Sequence, residues 1–227
     1  MKGIILISAY NAEETLPDVL NELSKFKDLE ILVVNDGSTD QTSDLVVSAG
    51  VKLLSHDKNR GKGAALQKGF EYASKMDIDF LITFDADKQH PADHINNFID
   101  MHRLNPGAII LGSRKRDKNM PWTRKFSNSV SATLTSLRTG QKLYDVQCGF
   151  RLIPKKYLSW KLSRINGFIF ENEMLIAWAD NNIKLISIDI PTIYSTKHKS
   201  RMTYLDSTFG FISMFIKSFF KSYKQDK

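Results

Sequence analysis

The sequence is poor in cysteine, since Cys148 is the single one among 227 residues. One cysteine cannot form an internal disulfide, and such scarcity is typical of proteins from a reducing compartment. Nothing beside Cys148 in the sequence would lower the pKa of its thiol, so we expect a small buried side chain rather than a nucleophile. A disulfide-stabilised secreted domain is therefore not the class of protein expected here.

Long apolar runs are also missing from the sequence. No stretch approaches the roughly 20 apolar residues that a membrane-spanning helix needs. The N-terminal run Ile4–Ile7 stops at Ser8, too early for a signal peptide, and we interpret it as the first β-strand. Hydrophobic residues make up 42% and charged residues 25% of the chain, which is an ordinary globular composition. We therefore expect a cytoplasmic protein that is soluble or associated peripherally with the cytoplasmic face of a membrane.

Acidic residues are outnumbered, because 25 Asp and Glu face 32 Lys and Arg and leave a net charge of +7. Such a balance favours acidic partners, which include nucleotides, nucleic acids and anionic membrane surfaces. The net positive charge is the only feature that would favour a nucleic-acid partner, because the sequence contains no nucleic-acid-binding motif. We therefore predict no nucleic-acid partner, and we keep nucleotides and an anionic membrane surface as candidates.

Short β-rich runs alternate with helical patterns along the first half of the chain. Strands are predicted at Gly3–Ser8, Glu30–Asn35, Val51–Ser55, Asp79–Phe84 and Ala108–Gly112, and helices at Glu13–Phe26, Gln41–Ala49, Gly63–Lys75 and Ala92–Arg103. After Gly112 we predict helices at Phe126–Arg138 and Glu171–Asn181 and strands at Gly149–Ile153 and Lys184–Ile190. This alternation indicates an α/β fold with a mostly parallel central sheet flanked by helices.

The chain length fits one domain with a short appendage. We predict a single domain over 1–204, in which the alternating strands and helices of 1–112 are typical of a nucleotide-binding half and 113–204 completes the ligand site. In the tail, 205–227, apolar residues recur at helical spacing opposite lysines. Two interpretations stay open, a helix packed on the body and a helix lying in a membrane interface, and the abundance of phenylalanine slightly favours the second.

Two carboxylates one residue apart, Asp85 and Asp87, follow the apolar run Phe80–Thr83. Ligands of open α/β sheets bind outside the carboxyl ends of the strands, so both side chains are expected at such an edge. Carboxylate oxygens suit Mg²⁺ or Mn²⁺, and such an ion would neutralise a diphosphate. The sequence therefore predicts an enzyme that breaks a bond to a nucleoside diphosphate.

Two further loops are expected at the same edge of the sheet. Asn35–Asp40 contains a carboxylate and a turn glycine, a pattern that by itself is common in ordinary turns. Asn59–Ala65 opens a helix with small residues and two cations, which suits a diphosphate but lacks the Walker spacing. Together these loops predict that one ligand site is built from several strand ends.

Five short motifs occur in a specific order and spacing: Tyr10–Glu14, Val33–Asp40, Asn59–Ala65, Asp85–Pro91 and Gly112–Arg114. In this order they resemble family 2 glycosyltransferases of the GT-A fold. Further on, Asp145–Arg151 and Phe170–Met174 look like the subgroup that includes dolichyl-phosphate mannosyltransferase and bacterial polyprenyl-phosphate glycosyltransferases. The resemblance covers most of the chain.

The resemblance implies a nucleotide-sugar donor, a divalent metal, Mg²⁺ or Mn²⁺, and a polyprenyl- or dolichyl-phosphate acceptor. The donor-binding residues that it implies are Tyr10, Asn11, Glu13, Asp36, Lys62, Asp85, Ala86, Asp87 and Arg151. The implied metal ligands are Asp85, Asp87 and Gln89, and the implied acceptor-binding residues are Arg114, Arg124 and Ser127. The implied catalytic residues are Asp87, Arg114, Arg124, Asp145 and Glu173.

The acceptor is open between two chemical classes. A lipid phosphate is already an anion and needs only cations beside it, which the basic loop 113–125 supplies. A hydroxyl needs a general base, for which Asp145, Glu171 and Glu173 are the candidates. Both glutamates also fit a structural role at a helix N-terminus.

Two alternative interpretations, a nucleotidyltransferase and a zinc site, fit the sequence less well than glycosyl transfer. A sugar-nucleotide nucleotidyltransferase would open with a Gly-rich loop carrying Arg and Lys, which Ser8–Asn11 does not provide. A zinc site at His90 and His94 would need the glutamate of a His-Glu-x-x-His motif, which the sequence lacks here, so we interpret both as ordinary surface or metal-adjacent histidines. Glycosyl transfer remains the leading interpretation.

Overall fold

A computed structural model describes residues 1–114, 122–160, 169–193, 215, 216, 218, 219 and 223, without the side chains of 122–125 and 169. Its strands are β1 (Gly3–Ala9), β2 (Leu29–Asn35), β3 (Lys52–Ser55), β4 (Phe80–Asp85), β5 (Ile109–Arg114), β6 (Arg151–Pro154) and β7 (Leu185–Ile190). Its α-helices are α1 (Leu16–Leu23), α2 (Thr42–Ser48), α3 (Lys62–Ala73), α4 (Ile95–Leu104), α5 (Trp122–Thr139) and α6 (Ile169–Asp180). Every strand and helix predicted up to residue 193 is therefore present.

The described strands form one seven-stranded sheet in the order β3-β2-β1-β4-β6-β5-β7. All neighbouring pairs are parallel except those of β6, which runs antiparallel to both β4 and β5. The predicted α/β fold with a mostly parallel sheet is thus confirmed. Because β6 is reversed, the residues that precede it, Gly149 and Phe150, lie beside the carboxyl end of β4.

Apolar side chains cover both faces of the sheet, as expected for strands with helices on either side. One layer includes Leu6, Leu32 and Leu66 together with Trp178, and the other includes Phe84. Helix α6 is buried on nearly all sides from Phe170 to Trp178, which explains why its sequence lacks a polar face. The sheet and α6 therefore form a rigid base for the loops at the strand ends.

Cys148 confirms the expectation of a buried, unreactive thiol. Burial, reinforced by the negative charge of Asp145, raises the pKa of this thiol to about 12. A thiol with so high a pKa carries almost no thiolate at neutral pH, and it is the thiolate that reacts. Cys148 therefore serves as a packing residue.

The described part of the tail contacts the body of the protein. The Arg138 guanidinium donates two hydrogen bonds to the carbonyl oxygen of Ser218, at 3.2 and 2.9 Å, and the Asn181 amide donates one to that of Tyr223, at 2.9 Å. Ser218 and Tyr223 are buried, whereas Phe219 is 59% exposed. These contacts support the packed interpretation for this part of the tail; the rest of 205–227 lies outside the described residues.

No helix in the described parts of the chain is both long and apolar enough to cross a membrane.

Candidate active site

The loops after β1 and β2 are joined by reciprocal hydrogen bonds. The Asn11 carboxamide oxygen accepts from the Thr39 amide at 2.9 Å, and the Glu13 carboxylate accepts from the Gln41 amide at 3.0 Å. In return, the Asp40 carboxylate accepts from the Glu13 amide at 3.1 Å. Two predicted donor-binding side chains, Asn11 and Glu13, therefore shape the edge of the site by holding these two loops together.

Asp36 is buried at the end of β2, and its carboxylate is occupied by protein groups. It contacts His56 Nδ1 at 2.7 Å and accepts from the amides of Arg60 and Gly61 at 3.0 and 2.7 Å. Gly61 has φ of 91°, a left-handed conformation that glycine adopts readily. Asp36 thus fixes the loop that starts α3, and the donor contact that the resemblance implies for it stays a prediction.

Asp85 ends β4 and lies at the centre of a charged cluster. Its Oδ1 is 2.6 Å from Lys62 Nζ, and its Oδ2 is 2.9 Å from His90 Nε2. A Cβ atom at Gly149 would come within 2.5 Å of Oδ2, so only glycine leaves room for this carboxylate. The antiparallel strand β6 supplies that glycine. Lys62 and His90 therefore hold the Asp85 carboxylate in the space that Gly149 leaves for it.

Lys62, at the start of α3, bridges two acidic side chains from distant parts of the chain. Its ammonium lies 2.6 Å from Asp85 and 3.0 Å from Glu171 of α6. Burial alone would lower the pKa of this ammonium, but the charges of Asp85 and Glu171 outweigh it and raise the pKa above its usual range. Although burial opposes the charge of Asp85, the neighbouring Lys62 and His90 hold the pKa of that carboxyl well below its usual range.

Asp87 is the less compensated carboxylate of the motif. Burial and, after it, the negative charge of Asp85 raise the pKa of Asp87 above its ordinary value. Its Oδ1 accepts a hydrogen bond from the Gln89 amide at 3.1 Å. A cation placed here would relieve this repulsion, so the charge distribution fits a divalent metal.

The ligand set also fits magnesium or manganese. The described residues contain no group of three or more His, Cys, Asp or Glu side chains that could hold a metal ion. Mg²⁺ in proteins is bound by one or two carboxylates and takes its other ligands from phosphates and water. Asp87 and its neighbour Asp85 match this arrangement, and Gln89 lies two residues along the same loop.

Arg114 and Asp145 form a two-point ion pair at the end of β5. Arg114 Nε and Nη2 donate to the carboxylate of Asp145 at 2.6 and 3.1 Å, and the Gln147 amide donates to it at 3.0 Å. Burial opposes the charge of Asp145, but the Arg114 guanidinium lowers the pKa of this carboxyl below its ordinary value. A carboxyl whose pKa is lowered and whose oxygens already accept hydrogen bonds from Arg114 and Gln147 is poorly matched to general-base catalysis near pH 7.

Two predicted site residues lie inside the protein. Arg151 is 2% exposed, and its guanidinium donates to the carbonyl oxygens of Val146, Cys148 and Glu171, each at 3.0 Å. This placement indicates a structural role for Arg151, and the donor contact that the resemblance implies for it stays a prediction. Glu173 is fully buried and hydrogen bonds to the side chain of Tyr223, so its placement does not support the role of a catalytic base.

The remaining predicted residues differ in their exposure to solvent, and some of them lie outside the described residues. Tyr10 is 38% exposed at the rim of the site, and Ala86 is buried between the two aspartates of the motif. Ser127 is half-buried on α5. The side chain of Arg124 and the loop 115–121 lie outside the described residues, so the acceptor contacts expected there stay predictions.

Sequence reasoning missed His56 and the close approach of Gly149, and it predicted His90 only as a surface or metal-adjacent histidine, without its contact to Asp85. His56 gives no local signal, because its partner lies 20 residues away in the chain. His90 follows the two aspartates in the same motif, which was a usable signal for contact with one of them. Gly149 could have been noticed as a glycine at the first position of a predicted strand.

Comparisons with known proteins identify the family of this chain. The family model described as glycosyl transferase family 2 matches residues 4–159. An uncharacterised protein of Methanocaldococcus jannaschii is 30% identical over 205 residues, covering 88% of this chain and 84% of its own. The UDP-N-acetylglucosamine–dolichyl-phosphate N-acetylglucosaminyltransferase of Methanococcus voltae is 29% identical over 222 residues, covering 88% of each chain.

A solved structure shows the same fold. Glucosyl-3-phosphoglycerate synthase from Mycobacterium tuberculosis, in complex with Mn²⁺, UDP and glucosyl-3-phosphoglycerate, superimposes with a TM-score of 0.75 at 17% identity. The match covers 100% of this chain and 81% of that one. The architecture is therefore that of a GT-A glycosyltransferase. Because the family model spans more than half of the sequence, the chain belongs to glycosyltransferase family 2, and the resemblance seen in its motifs is confirmed.

Proposed function

We propose that this protein is an inverting, metal-dependent glycosyltransferase that moves one sugar from a nucleotide-sugar donor to a polyprenyl or dolichyl phosphate. The family match supports transfer from a nucleotide sugar. The relative from Methanococcus voltae is named for transfer to dolichyl phosphate, and it favours the lipid-phosphate class of acceptor. The proposal leaves open whether the donor is a UDP- or a GDP-sugar.

The three candidate bases are all engaged with other side chains, and this observation supports the lipid-phosphate class of acceptor. Asp145 is paired with Arg114, Glu171 is paired with Lys62, and Glu173 is buried against Tyr223. A hydroxyl acceptor requires a base that is available to accept its proton in the transition state. A phosphate acceptor arrives as an anion and requires no base. The engaged carboxylates therefore favour a phosphate.

The donor side of the reaction needs positive charge where the nucleoside diphosphate leaves. Asp87, with Asp85 and Gln89 beside it, would hold the metal, which as a Lewis acid stabilises the charge on the leaving phosphate. Lys62 adds a fixed cation next to Asp85, at 2.6 Å. Arg114, held by Asp145, offers a second oriented cation on the acceptor side. Together these cations would hold two negative groups close to each other.

A lipid acceptor requires the protein to work at a membrane surface. On α5, Phe126 and Leu137 are 65% and 72% exposed, and their spacing of eleven residues places them on one helical face. Ile216 and Phe219 of the tail are also more than half exposed. Apolar side chains on a protein with a net charge of +7 suit the surface of an anionic membrane. We propose that the protein associates peripherally with the cytoplasmic face of a membrane.

Sugar transfer to a detergent-solubilised polyprenyl phosphate tests the proposal. UDP- and GDP-sugars are offered in turn with Mn²⁺, Mg²⁺ or EDTA, and an Asp87→Ala variant is run alongside. We expect a lipid-linked product with one donor, which is lost with EDTA and in the variant. Consumption of the donor without lipid product, or transfer to a glycan hydroxyl instead, would contradict the acceptor class.

Truncation after Tyr204 is expected to weaken sedimentation with anionic vesicles.

A further inference from the structure

His90 occupies an apolar slot beneath the charged cluster. Its side chain is almost fully buried, and its ring meets Phe84 at 5.3 Å in an edge-on arrangement and Phe150 at 5.4 Å in a tilted one. Phe150 in turn stacks on Phe98 at 4.0 Å. Four aromatic rings therefore pack together, and packing alone would be satisfied by a phenylalanine at position 90.

The polar atoms of His90 distinguish it from a packing residue. Nε2 lies 2.9 Å from Asp85 Oδ2, and because a carboxylate only accepts hydrogen bonds, Nε2 must carry the proton. On the other side of the ring, Nδ1 is buried and has no hydrogen-bond partner among the described residues. A buried nitrogen without a partner is unfavourable. A phenylalanine would avoid that cost, so the contact made by Nε2 must be what the histidine contributes.

The contact acts on the residue that begins the metal-binding motif. Asp85 is held on Oδ2 by His90 and on Oδ1 by Lys62, at 2.9 and 2.6 Å. The glycine at 149 leaves space for the carboxylate but makes no hydrogen bond that could orient it. Without His90, Oδ2 would lose its described partner and the carboxyl group could rotate about its last bond.

We propose that His90 is a positioning residue, which orients the Asp85 carboxylate for the metal and diphosphate of the donor. The role rests on the proposed donor site, because it concerns how that site is held ready. His90 contacts no substrate in this role and acts only through Asp85. Groups that orient carboxylate ligands typically change metal affinity by about 10- to 100-fold when they are removed.

Three variants separate the hydrogen bond from the packing. His90→Phe keeps an aromatic ring between Phe84 and Phe150 but removes the donor. His90→Gln removes the ring and returns an N–H near the place of Nε2. His102→Phe is the matched control, because His102 is also buried, meets the ring of Phe80 edge-on at 5.5 Å, and has a buried Nδ1 without a described partner. It lies with Asp79 and Pro154, at the opposite end of the sheet.

The measurement is the dissociation constant of Mn²⁺ in the presence of UDP and, separately, GDP, followed by the electron paramagnetic resonance of free Mn²⁺. Thermal melting checks that each variant folds. We expect His90→Phe to weaken Mn²⁺ binding by about 10-fold or more. His90→Gln should recover most of the affinity, and His102→Phe should match the wild type.

Three other outcomes would contradict the positioning role of His90. Wild-type affinity in His90→Phe would overturn the positioning role while leaving the donor site intact. Equal losses in His90→Phe and His90→Gln would assign the effect to ring packing and would also overturn it. If the wild type binds no Mn²⁺ with either nucleotide, the proposed donor site itself is wrong, and the role of His90 falls with it.

Discussion

Two cations join distant segments of this protein, and they do so in opposite electrostatic settings. Lys62 links the end of β4 to α6 through Asp85 and Glu171. Arg138 links α5 to α6 through Asp180, in a two-point ion pair at 2.7 and 2.9 Å, and to the tail through the carbonyl of Ser218. Both arrangements are partly shielded from water, and both bring together parts of the chain that are far apart in sequence.

The charges balance in the second arrangement but not in the first. Arg138 faces one carboxylate, and its remaining donors meet a carbonyl oxygen. Lys62 faces Asp85 and Glu171, and Asp87 adds a third carboxylate nearby. The raised pKa of Asp87 reflects burial first and then this surplus of negative charge. The difference indicates which region awaits a ligand, since an excess of buried negative charge is favourable only when a cation arrives.

The largest effect is expected from removing the cation of the unbalanced cluster. Lys62→Met would leave Asp85 and Glu171 facing each other without compensation, and breaking a buried ion pair from one side costs about 3 kcal/mol or more. We expect the free energy of unfolding, measured with urea, to fall by about that amount. Lys68→Met on the same helix is the control, because the carbonyl oxygen of Ser55 is the hydrogen-bond partner of Lys68 among the described residues. Equal losses in both variants would show that Lys62 does not compensate these acids.

A smaller and more local effect is expected at the balanced pair. In Arg138→Met, Asp180 can turn toward water, and the described tail residues lose two hydrogen bonds, so we expect a loss of about 1 to 2 kcal/mol. Hydrogen exchange should become faster at Ser218 and its neighbours, while Mn²⁺ binding with nucleotide stays unchanged. Unaltered exchange would mean that other contacts hold the tail. A change in Mn²⁺ affinity would mean that the two regions are coupled.

The positions of the strands could be predicted from the sequence, but the direction of β6 could not. Hydrophobic periodicity located the strands to within about two residues, because each strand is a local pattern of buried side chains. The direction of β6 could not be predicted, since a four-residue strand looks the same whichever way it runs. That reversal decides the surroundings of Arg151, whose strand lies between β4 and β5 in the middle of the sheet.

The site was predicted in its residue types more than in its contacts. The motif order placed Asp85 and Asp87 at a strand end, where the structure has them. Which cation pairs with which acid was not predictable, because Lys62 and Glu171 are more than a hundred residues apart and no local spacing encodes their meeting. The same reason explains why Asp145 and Glu173 read as candidate bases in the sequence but are engaged with Arg114 and Tyr223 in the structure.

The smallest effect is expected from removing the surplus charge at Asp87, and it is a gain in stability rather than a loss. A carboxyl whose pKa is raised by folding binds its proton more tightly in the folded state, so its ionisation lowers stability as pH rises above the ordinary value of about 3.9. Asp87→Asn removes that ionisation, and we expect it to stabilise the metal-free protein at neutral pH, by less than the change expected for Arg138→Met. The gain should disappear below about pH 4, where the wild-type carboxyl is protonated in both states.

Urea unfolding at pH 7 and at pH 3.5, with EDTA present, measures this difference. Glu13→Gln is the control, because Glu13 is an acid in the loop after β1 whose carboxylate already accepts a hydrogen bond from the Gln41 amide, and that substitution should give no gain in stability. A loss of stability in Asp87→Asn at pH 7 would mean that the carboxylate is already compensated. The contrast with Arg138 would then disappear. A gain would show that the protein keeps a destabilising charge at the place where the donor's metal is proposed to bind, as expected when function rather than stability fixes a residue.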